Sequence, residues 1–284
     1  MTASLETLVV AAYIFADQTA IPRPGPEGKV TDAELVALAV AQAAMGVPSD
    51  RQFLGLVGKV LPGWFPHLPD QSQYNRRLRR LTPILATVQL RISELIADGG
   101  LRIADGTLIG VANYAGCASR SEFAGTAAYG YCAAKSQYVW GMRLVLVADS
   151  RGLPVGYTLV AANEKEYEPV RELTTAHAGC TLIADKGLWG REYAATLALQ
   201  DITIITPDRV RTADNLNRER RLASIRLVIE SMIANLKGQM RLEQHLAKTP
   251  AGLAQRIAQR LLALTIGMLL NALTGRPPRA PRRI

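Results

Sequence analysis

The chain has 284 residues, is 49% hydrophobic and 20% charged, and carries a formal net charge of +9 at pH 7. A chain of this size and apolar content can bury one large or two modest cores. Its basic balance favours a polyanionic partner. Three histidines and three cysteines, none close to another in sequence, give no support to a histidine metal cluster, Ser-His catalysis or a disulfide framework.

The N-terminal third combines a linker with several helices. Residues 16–29 are rich in Pro and Gly and predict a linker, and helical runs follow at about 31–45, 50–61 and 73–98, the last interrupted near Pro83. The sequence Thr31-Asp32-Ala33-Glu34 has the form of a capping box. We therefore expect an all-helical domain over residues 1–97, which either reads DNA in the manner of a helix-turn-helix or packs against a second subunit.

Strands begin after the last of these helices. Apolar residues with helical spacing lead to Asp98, and the glycines that follow form a natural helix stop, so we reject Asp98 as a site residue. Leu101 and Ile103 then alternate with polar neighbours and lead into Asp105, at the end of the first predicted strand. Strands over 141–148 and 154–162 are separated by Asp-Ser-Arg-Gly, a strong hairpin signal.

Helix and strand alternate over the next segment. We expect a helix at about 166–178, a strand at 181–184 that ends in Asp185, a short helix at 191–199 and a strand at 202–206. Three strands in a meander followed by such an alternation predict an α/β fold, with an RNase H-like mixed sheet flanked by helices. The excursion at 112–138 receives no fixed structure. Trp189 either stacks on a distorted DNA end or caps the core, and the core is favoured.

A third acid lies on a later helix. Ile225, Ile229, Met232, Leu236 and Met240 recur with a spacing of three and four, which predicts an amphipathic helix over 223–241. At about 100° per residue, three charged residues of this segment fall on one strip beside the apolar stripe, namely Arg226, Glu230 and Lys237. An internal salt-bridge ladder accounts for this spacing as well as a site does.

The acids Asp105, Asp185 and Glu230 can together hold metal ions. Two divalent cations roughly 3.5 to 4 Å apart can activate an attacking oxygen and stabilise a leaving oxygen at one phosphorus, and carboxylates are the ligands that Mg²⁺ prefers. Each acid alone is more often an ordinary strand-end or surface charge. Their combination is what predicts a phosphoryl-transfer site.

Basic clusters surround this candidate core. Four arginines crowd one predicted helix, five precede the helix of Glu230, and four form a tail: Arg76, Arg77, Arg79 and Arg80; Arg209, Arg211, Arg218, Arg220 and Arg221; Arg276, Arg279, Arg282 and Arg283. Each cluster alone is as consistent with a solvated charged face. All three beside a candidate phosphoryl-transfer core favour nucleic acid as the partner.

Several of these residues resemble a known family. Arg226, Glu230 and Lys237 have the spacing of the R-E-K part of the YREK signature of insertion-sequence DDE transposases, with Ala223 where the signature has tyrosine. The segment I-A-D-G-T at 103–107 is similar to the first-aspartate strand, and L-I-A-D-K-G at 182–187 is similar to the segment with the second aspartate. The resemblance covers about residues 98–273.

The resemblance implies a DNA transposase of an insertion sequence, which cuts transposon ends and transfers the strands into target DNA. Asp105, Asp185 and Glu230 would be the catalytic metal ligands for two Mg²⁺ ions, with Mn²⁺ able to substitute. We expect DNA contacts from seven cationic residues: Arg226, Lys237, Lys186, Arg76, Arg77, Arg79 and Arg80. The expected partners are double-stranded DNA, as transposon ends and target, and a second copy in a homodimer, with no membrane.

The expected organisation is a helical DNA-binding or assembly domain at 1–97, an RNase H-like catalytic domain at 98–273 and a basic tail at 274–284. The expected location is the bacterial cytoplasm, at the nucleoid. Two other functions stay open from the sequence. One is a structure-selective nuclease of the same fold, which cuts without joining, and the other is a catalytically inactive, domesticated DNA-binding protein.

Overall fold

The computed structural model describes residues 4–19, 28–113, 116–132, 136–208, 210, 212 and 215–277. Most of the expected linker, Arg209 and Arg211, and the basic tail from residue 278 onward lie outside the described residues. The chain divides into two compact units. The helical unit comprises Met1–Leu95 and Asn235–Ile284, and the sheet unit comprises Ile96–Ala234.

The helical unit is built from amphipathic and fully buried helices. Five helices come from the N-terminal part and one from the C-terminal part: α1 (Leu5–Asp17), α2 (Asp32–Ala44), α3 (Asp50–Val60), α4 (Gln71–Arg80), α5 (Thr82–Ile96) and α10 (Pro250–Leu273). The predicted capping box of α2 is present. The Thr31 side chain accepts a hydrogen bond from the Glu34 N–H at 3.1 Å, and the Glu34 carboxylate accepts one from the Thr31 N–H at 2.6 Å.

The C-terminal helix α10 belongs to this unit. It packs against α1, α2 and α4, so the division of the chain differs from the expected one, in which residues 98–273 formed a single domain. By length and a mean hydropathy of 1.2, α10 could cross a membrane, but 78% of its most apolar window is buried inside the protein. Burial of this kind marks a core helix.

The sheet unit contains six strands, β1 (Leu101–Gly110), β2 (Ala128–Cys132), β3 (Gln137–Asp149), β4 (Pro154–Ala161), β5 (Thr181–Ile183) and β6 (Thr203–Ile205). Four helices belong with them: α6 (Cys117–Arg120), α7 (Tyr167–Thr174), α8 (Arg191–Ala198) and α9 (Leu216–Lys237), the last of which continues into the helical unit.

Strand order identifies the fold of this unit. The sheet runs β4-β3-β1-β5-β6, with β2 paired to the N-terminal part of β3. β1, β3 and β4 form an antiparallel meander, and β5 and β6 are added parallel to β1. A meander followed by parallel helix-linked strands is the RNase H-like arrangement, so the predicted fold class is confirmed.

Candidate active site

Register brings the two predicted aspartates to adjacent strands. β1 and β5 are parallel, with Ile103 opposite Ile183, and Asp105 and Asp185 each stand two residues beyond that pair. Successive side chains of a strand alternate between the faces of the sheet. The alanine before each aspartate lies in the buried core on one face. Both aspartates therefore point to the opposite face.

Their positions along the strands differ. The sequence had suggested that Asp105 ends its strand. However, β1 continues to Gly110, so Asp105 lies within the strand. It pairs with Leu146 of β3. Asp185 follows β5 and precedes a short 3-10 turn, Lys186–Leu188. Asp105 is therefore rigid and half-buried, whereas the Asp185 side chain is 50% exposed.

Arg226 of α9 connects the second and third acids. Its Nη1 lies 3.2 Å from Asp185 Oδ1, and its Nη2 lies 3.9 Å from Glu230 Oε1, one turn along the same helix. The arginine side chain is 21% exposed and the two carboxylates about half. The structure thus brings Arg226, Asp185 and Glu230 together on one face of the sheet unit.

Asp105 has an unusual environment for a carboxyl group. Its pKa is raised from 3.8 to about 6, mainly by burial and to a smaller extent by the nearby carboxylates of Glu166 and Asp185. The Gly106 N–H, which donates to Asp105 Oδ1 at 2.8 Å, and the charge of Arg226 act in the opposite direction. The charge of Arg226 does not offset burial and the neighbouring acids, and a bound cation would favour the ionised form of Asp105.

Glu166 is a carboxylate that the sequence analysis did not identify. Its carboxyl group lies against the backbone of Gly106, where a Cβ atom would be 2.8 Å from Glu166 Cδ. Arg143 of β3 holds it, with 2.5 Å between Arg143 Nη1 and Glu166 Oε1. A Cβ atom on Gly106 would point to the face of the sheet opposite the Asp105 side chain. Glu166 therefore lies on the face opposite the candidate site. The sequence did contain a signal of this contact. Gly106 follows a candidate ligand inside a predicted strand, and a glycine in that position can mark the close approach of another group to the backbone.

The rejected Asp98 has a structural role. Its backbone N–H donates to Asp149 Oδ2 at 3.2 Å, and its carboxylate accepts a hydrogen bond from the Ser150 hydroxyl. Asp149, which is fully buried, also accepts from the N–H groups of Arg151 and Leu153. These bonds fix the turn between β3 and β4.

The donor chemistry of the site fits divalent metal ions. Its oxygen ligands would come from Asp105, Asp185 and Glu230, which are hard carboxylates of the kind that Mg²⁺ and Mn²⁺ bind. Among the described residues, no three Asp, Glu, His or Cys side chains lie close enough to form a ready metal site. The guanidinium of Arg226 now contacts two of the three acids.

The remaining predicted contacts fall in different places. Lys186 is exposed directly after Asp185. Lys237 belongs to the helical unit, where its Nζ lies 3.3 Å from Glu243 Oε1. Trp189 was expected in the core, but it is 45% exposed.

The four arginines of α4 are not equivalent. Arg76, Arg79 and Arg80 are exposed, whereas Arg77 donates to the Val30 carbonyl and lies 2.8 Å from Asp32. The guanidinium of Arg77 is therefore engaged within the protein.

An exposed aromatic surface lies in the segment without predicted structure. Tyr129 and Tyr131 of β2 and Tyr138 of β3 are all more than half exposed. The rings of Tyr131 and Tyr138, which are paired across the strands, are 5.4 Å apart in an edge-on arrangement.

Comparison with known proteins places this site in a family. The family model described as transposase DDE domain matches residues 97–266, more than half of the chain, and all three predicted acids lie in that range. The resemblance to DDE transposases is thereby confirmed at the level of the family. No curated protein sequence matches the chain.

Solved structures of Mos1 transposase show a more distant likeness. A paired-end complex with the left transposon end is 13% identical over 79% of this chain and 82% of that chain, with a TM-score of 0.25. A pre-cleavage transpososome is 14% identical over 89% and 81%, with a TM-score of 0.25. A mariner paired-end complex with Mn is 13% identical over 81% and 83%, with a TM-score of 0.24. The fold assignment made above rests on the strand order.

Proposed function

We propose that this chain, which belongs to the transposase DDE domain family, is the transposase of an insertion sequence. It would cut DNA at the ends of its element and join the freed strands to target DNA. The observation that carries the proposal is the register of β1 and β5, which sets Asp105 beside Asp185 on the face where Arg226 and Glu230 lie. This arrangement falls within the segment that matches the family.

The reaction asks for positioning and charge neutralisation more than for covalent chemistry from the protein. Two divalent cations, when bound, would activate the attacking oxygen and stabilise the leaving oxygen in line with it. Asp105, fixed within β1, and Asp185 would hold them from the sheet, and Glu230 would do so from α9. Arg226 would exchange its contact with Asp185 for a DNA phosphate, since a guanidinium binds both groups through the same fork of donors.

The partners in this proposal are double-stranded transposon ends, target DNA and a second copy of the chain, in a bacterial cytoplasm. Lys186, which is exposed beside Asp185, would contact the same DNA backbone. The helical unit would bind DNA or assemble the dimer. A structure-selective nuclease is the second candidate, because the same acids would hydrolyse a phosphodiester and only joining separates the two activities.

Isosteric substitution of the acids tests the proposal. Asp105→Asn, Asp185→Asn and Glu230→Gln each remove a ligand charge with little loss of volume, so each should abolish metal-dependent cleavage and joining and leave the fold and DNA binding intact. The matched control is Glu168→Gln, which alters an exposed acid of α7 whose ion-pair partner, among the described residues, is its neighbour Arg171. Activity is measured with labelled transposon-end and target duplexes in Mg²⁺.

Two outcomes would contradict the proposal. Wild-type cleavage in any one of the three variants removes that residue from the site. Cleavage by the wild-type protein without any joined product would favour the nuclease.

A further inference from the structure

A polar cleft opens in the helical unit. It has a volume of about 800 Å³, and its walls come from the start of α3, from α4, from the N-terminal part of α10 and from the segment that leads into α10. Hydroxyl, amide and charged side chains dominate these walls. A cleft of this composition suits a charged, hydrated ligand better than an apolar one.

The acids of the cleft are already engaged. Asp50 is buried. Its carboxylate accepts hydrogen bonds from Arg256 Nη2 at 2.6 Å, Gln42 Nε2 at 2.9 Å and Asn75 Nδ2 at 3.0 Å. Asp70 caps α4 by accepting from the Gln73 N–H at 2.8 Å. The Asp50 carboxylate is thus neutralised by Arg256, and the Asp70 carboxylate makes no ion pair with a cation among the described residues.

Three cations of the cleft have no partner among the residues that the structure describes. Arg76 and Arg79, one turn apart on α4, and Lys248, before α10, are exposed and line the cleft. Within the part of the chain that the structure describes, none of these side chains makes a hydrogen bond or an ion pair. Arg77 and Arg256, by contrast, are engaged with Asp32 and Asp50. Thus α4 and the segment before α10 both contribute unpaired cations to the cleft.

We propose that this cleft binds the backbone phosphates of duplex DNA through Arg76, Arg79 and Lys248. The inference rests on the proposed function, which supplies DNA as the substrate, and it deepens that function by naming a DNA contact within the helical unit. Arginine and lysine on two elements can neutralise successive phosphates, and such contacts position a duplex without reading its sequence. The helix starts at Ser49 and Thr249 add weak positive potential, although each already carries a side-chain cap.

The dependence of DNA affinity on salt concentration, plotted on logarithmic axes, tests whether the cleft binds phosphates. Equilibrium binding of a labelled mixed-sequence duplex is measured with the full chain in chelator, so that no catalysis occurs, over a salt series of about 50 to 200 mM. Each phosphate contact contributes about 0.9 to the log-log slope. Arg76→Ala/Arg79→Ala should therefore make the slope shallower by about 1.8, and Lys248→Ala should make it shallower by about 0.9.

The matched control removes the same charge elsewhere in the helical unit. Arg51→Ala/Lys59→Ala alters two exposed cations of α3 that do not line the cleft, and the slope should stay at the wild-type value. Arg77→Ala should lower the melting temperature, since it loses its bonds to Asp32 and Val30, and should leave the slope nearly unchanged.

Three results would overturn the assignment. The cleft variants could keep the wild-type slope, or the α3 control could flatten it equally. Alternatively, inorganic phosphate alone could stabilise the wild-type protein but not the cleft variants, while DNA binding stays the same, which would assign the cleft to free phosphate. If the cleft variants join DNA ends and keep the wild-type salt slope, only the assignment of the cleft fails. If the wild-type protein does not bind DNA or join ends, the proposed function fails.

Discussion

Asp105 is held where its charge is costly in the absence of a cation. Its folded-state pKa of about 6, raised mainly by burial, exceeds the 3.8 of an ordinary aspartate. The folded protein thus holds this proton more tightly than the unfolded chain does. The resulting stabilisation is complete below about pH 4 and is lost as the pH rises through about 6.

Asp105→Asn should therefore be more stable than the wild-type protein above pH 6, by up to about 2 to 3 kcal/mol, because the variant has no charge to bury. The difference should shrink as the pH falls and vanish below about pH 4. Denaturant unfolding at several pH values measures it, and added Mg²⁺ should stabilise the wild-type protein but not the variant. An Asn variant less stable at every pH would show that favourable contacts hold the Asp105 carboxylate.

Gly106 makes room for Glu166 behind the same strand. Gly106→Ala should cost about 1 to 3 kcal/mol of unfolding free energy, because the Cβ would press on a carboxyl group that Arg143 holds in place. The matched control is Gly99→Ala, since a Cβ there meets nothing within 4 Å. Denaturant unfolding of both variants gives the comparison.

A double-mutant cycle separates this clash from loss of strand geometry. Glu166→Ala removes the obstructing carboxylate, so the cost of Gly106→Ala should be smaller in the Glu166→Ala background. Equal costs in both backgrounds would mean that the alanine disturbs β1 itself. The cycle needs no activity measurement.

At the scale of elements, local patterns predicted helix starts better than strand lengths. The capping box at Thr31 placed the start of α2 correctly, because cap residues and their targets are three positions apart in sequence. The break near Pro83 appeared as the separation of α4 from α5 at Leu81. Both signals act within one helical turn.

Strand limits depend on distant neighbours. β1 continues five residues past Asp105 because β3 pairs with it as far as Gly110. β2 forms by pairing with the N-terminal part of β3 across a segment where no alternating apolar pattern was visible. The three acids could be chosen from motif spacing, but their convergence, the bridging by Arg226 and the presence of Glu166 depend on register and packing between segments far apart in sequence.

At the scale of the whole chain, the helical unit is discontinuous. Ten of the 13 residues of α2 are buried, and α10, more than two hundred residues later, packs against it. An apolar sequence such as that of α10 does not name the helix against which it packs, so the sequence suggested one continuous domain to residue 273. The buried ion pair between Asp50 and Arg256 joins the two parts of the unit.

The N-terminal part should therefore fail to fold without the C-terminal part. Residues 1–95 alone should give a non-cooperative or aggregating product, because α2 would expose its apolar surface and Asp50 would lose its cation. Co-expression with residues 235–284 should restore a cooperative thermal transition. Circular dichroism and size-exclusion chromatography measure both outcomes.

Single substitutions in the added segment show whether this rescue depends on the native interface. Arg256→Ala should abolish it, since breaking a buried ion pair costs about 3 to 5 kcal/mol. Lys248→Ala should preserve it, because this exposed side chain has no partner in the described part of the protein. Cooperative unfolding of residues 1–95 by themselves would contradict the discontinuous unit and support a self-contained N-terminal domain. Equal rescue by both variants would instead mean that apolar packing of α10, without the Asp50–Arg256 pair, is enough to complete the unit.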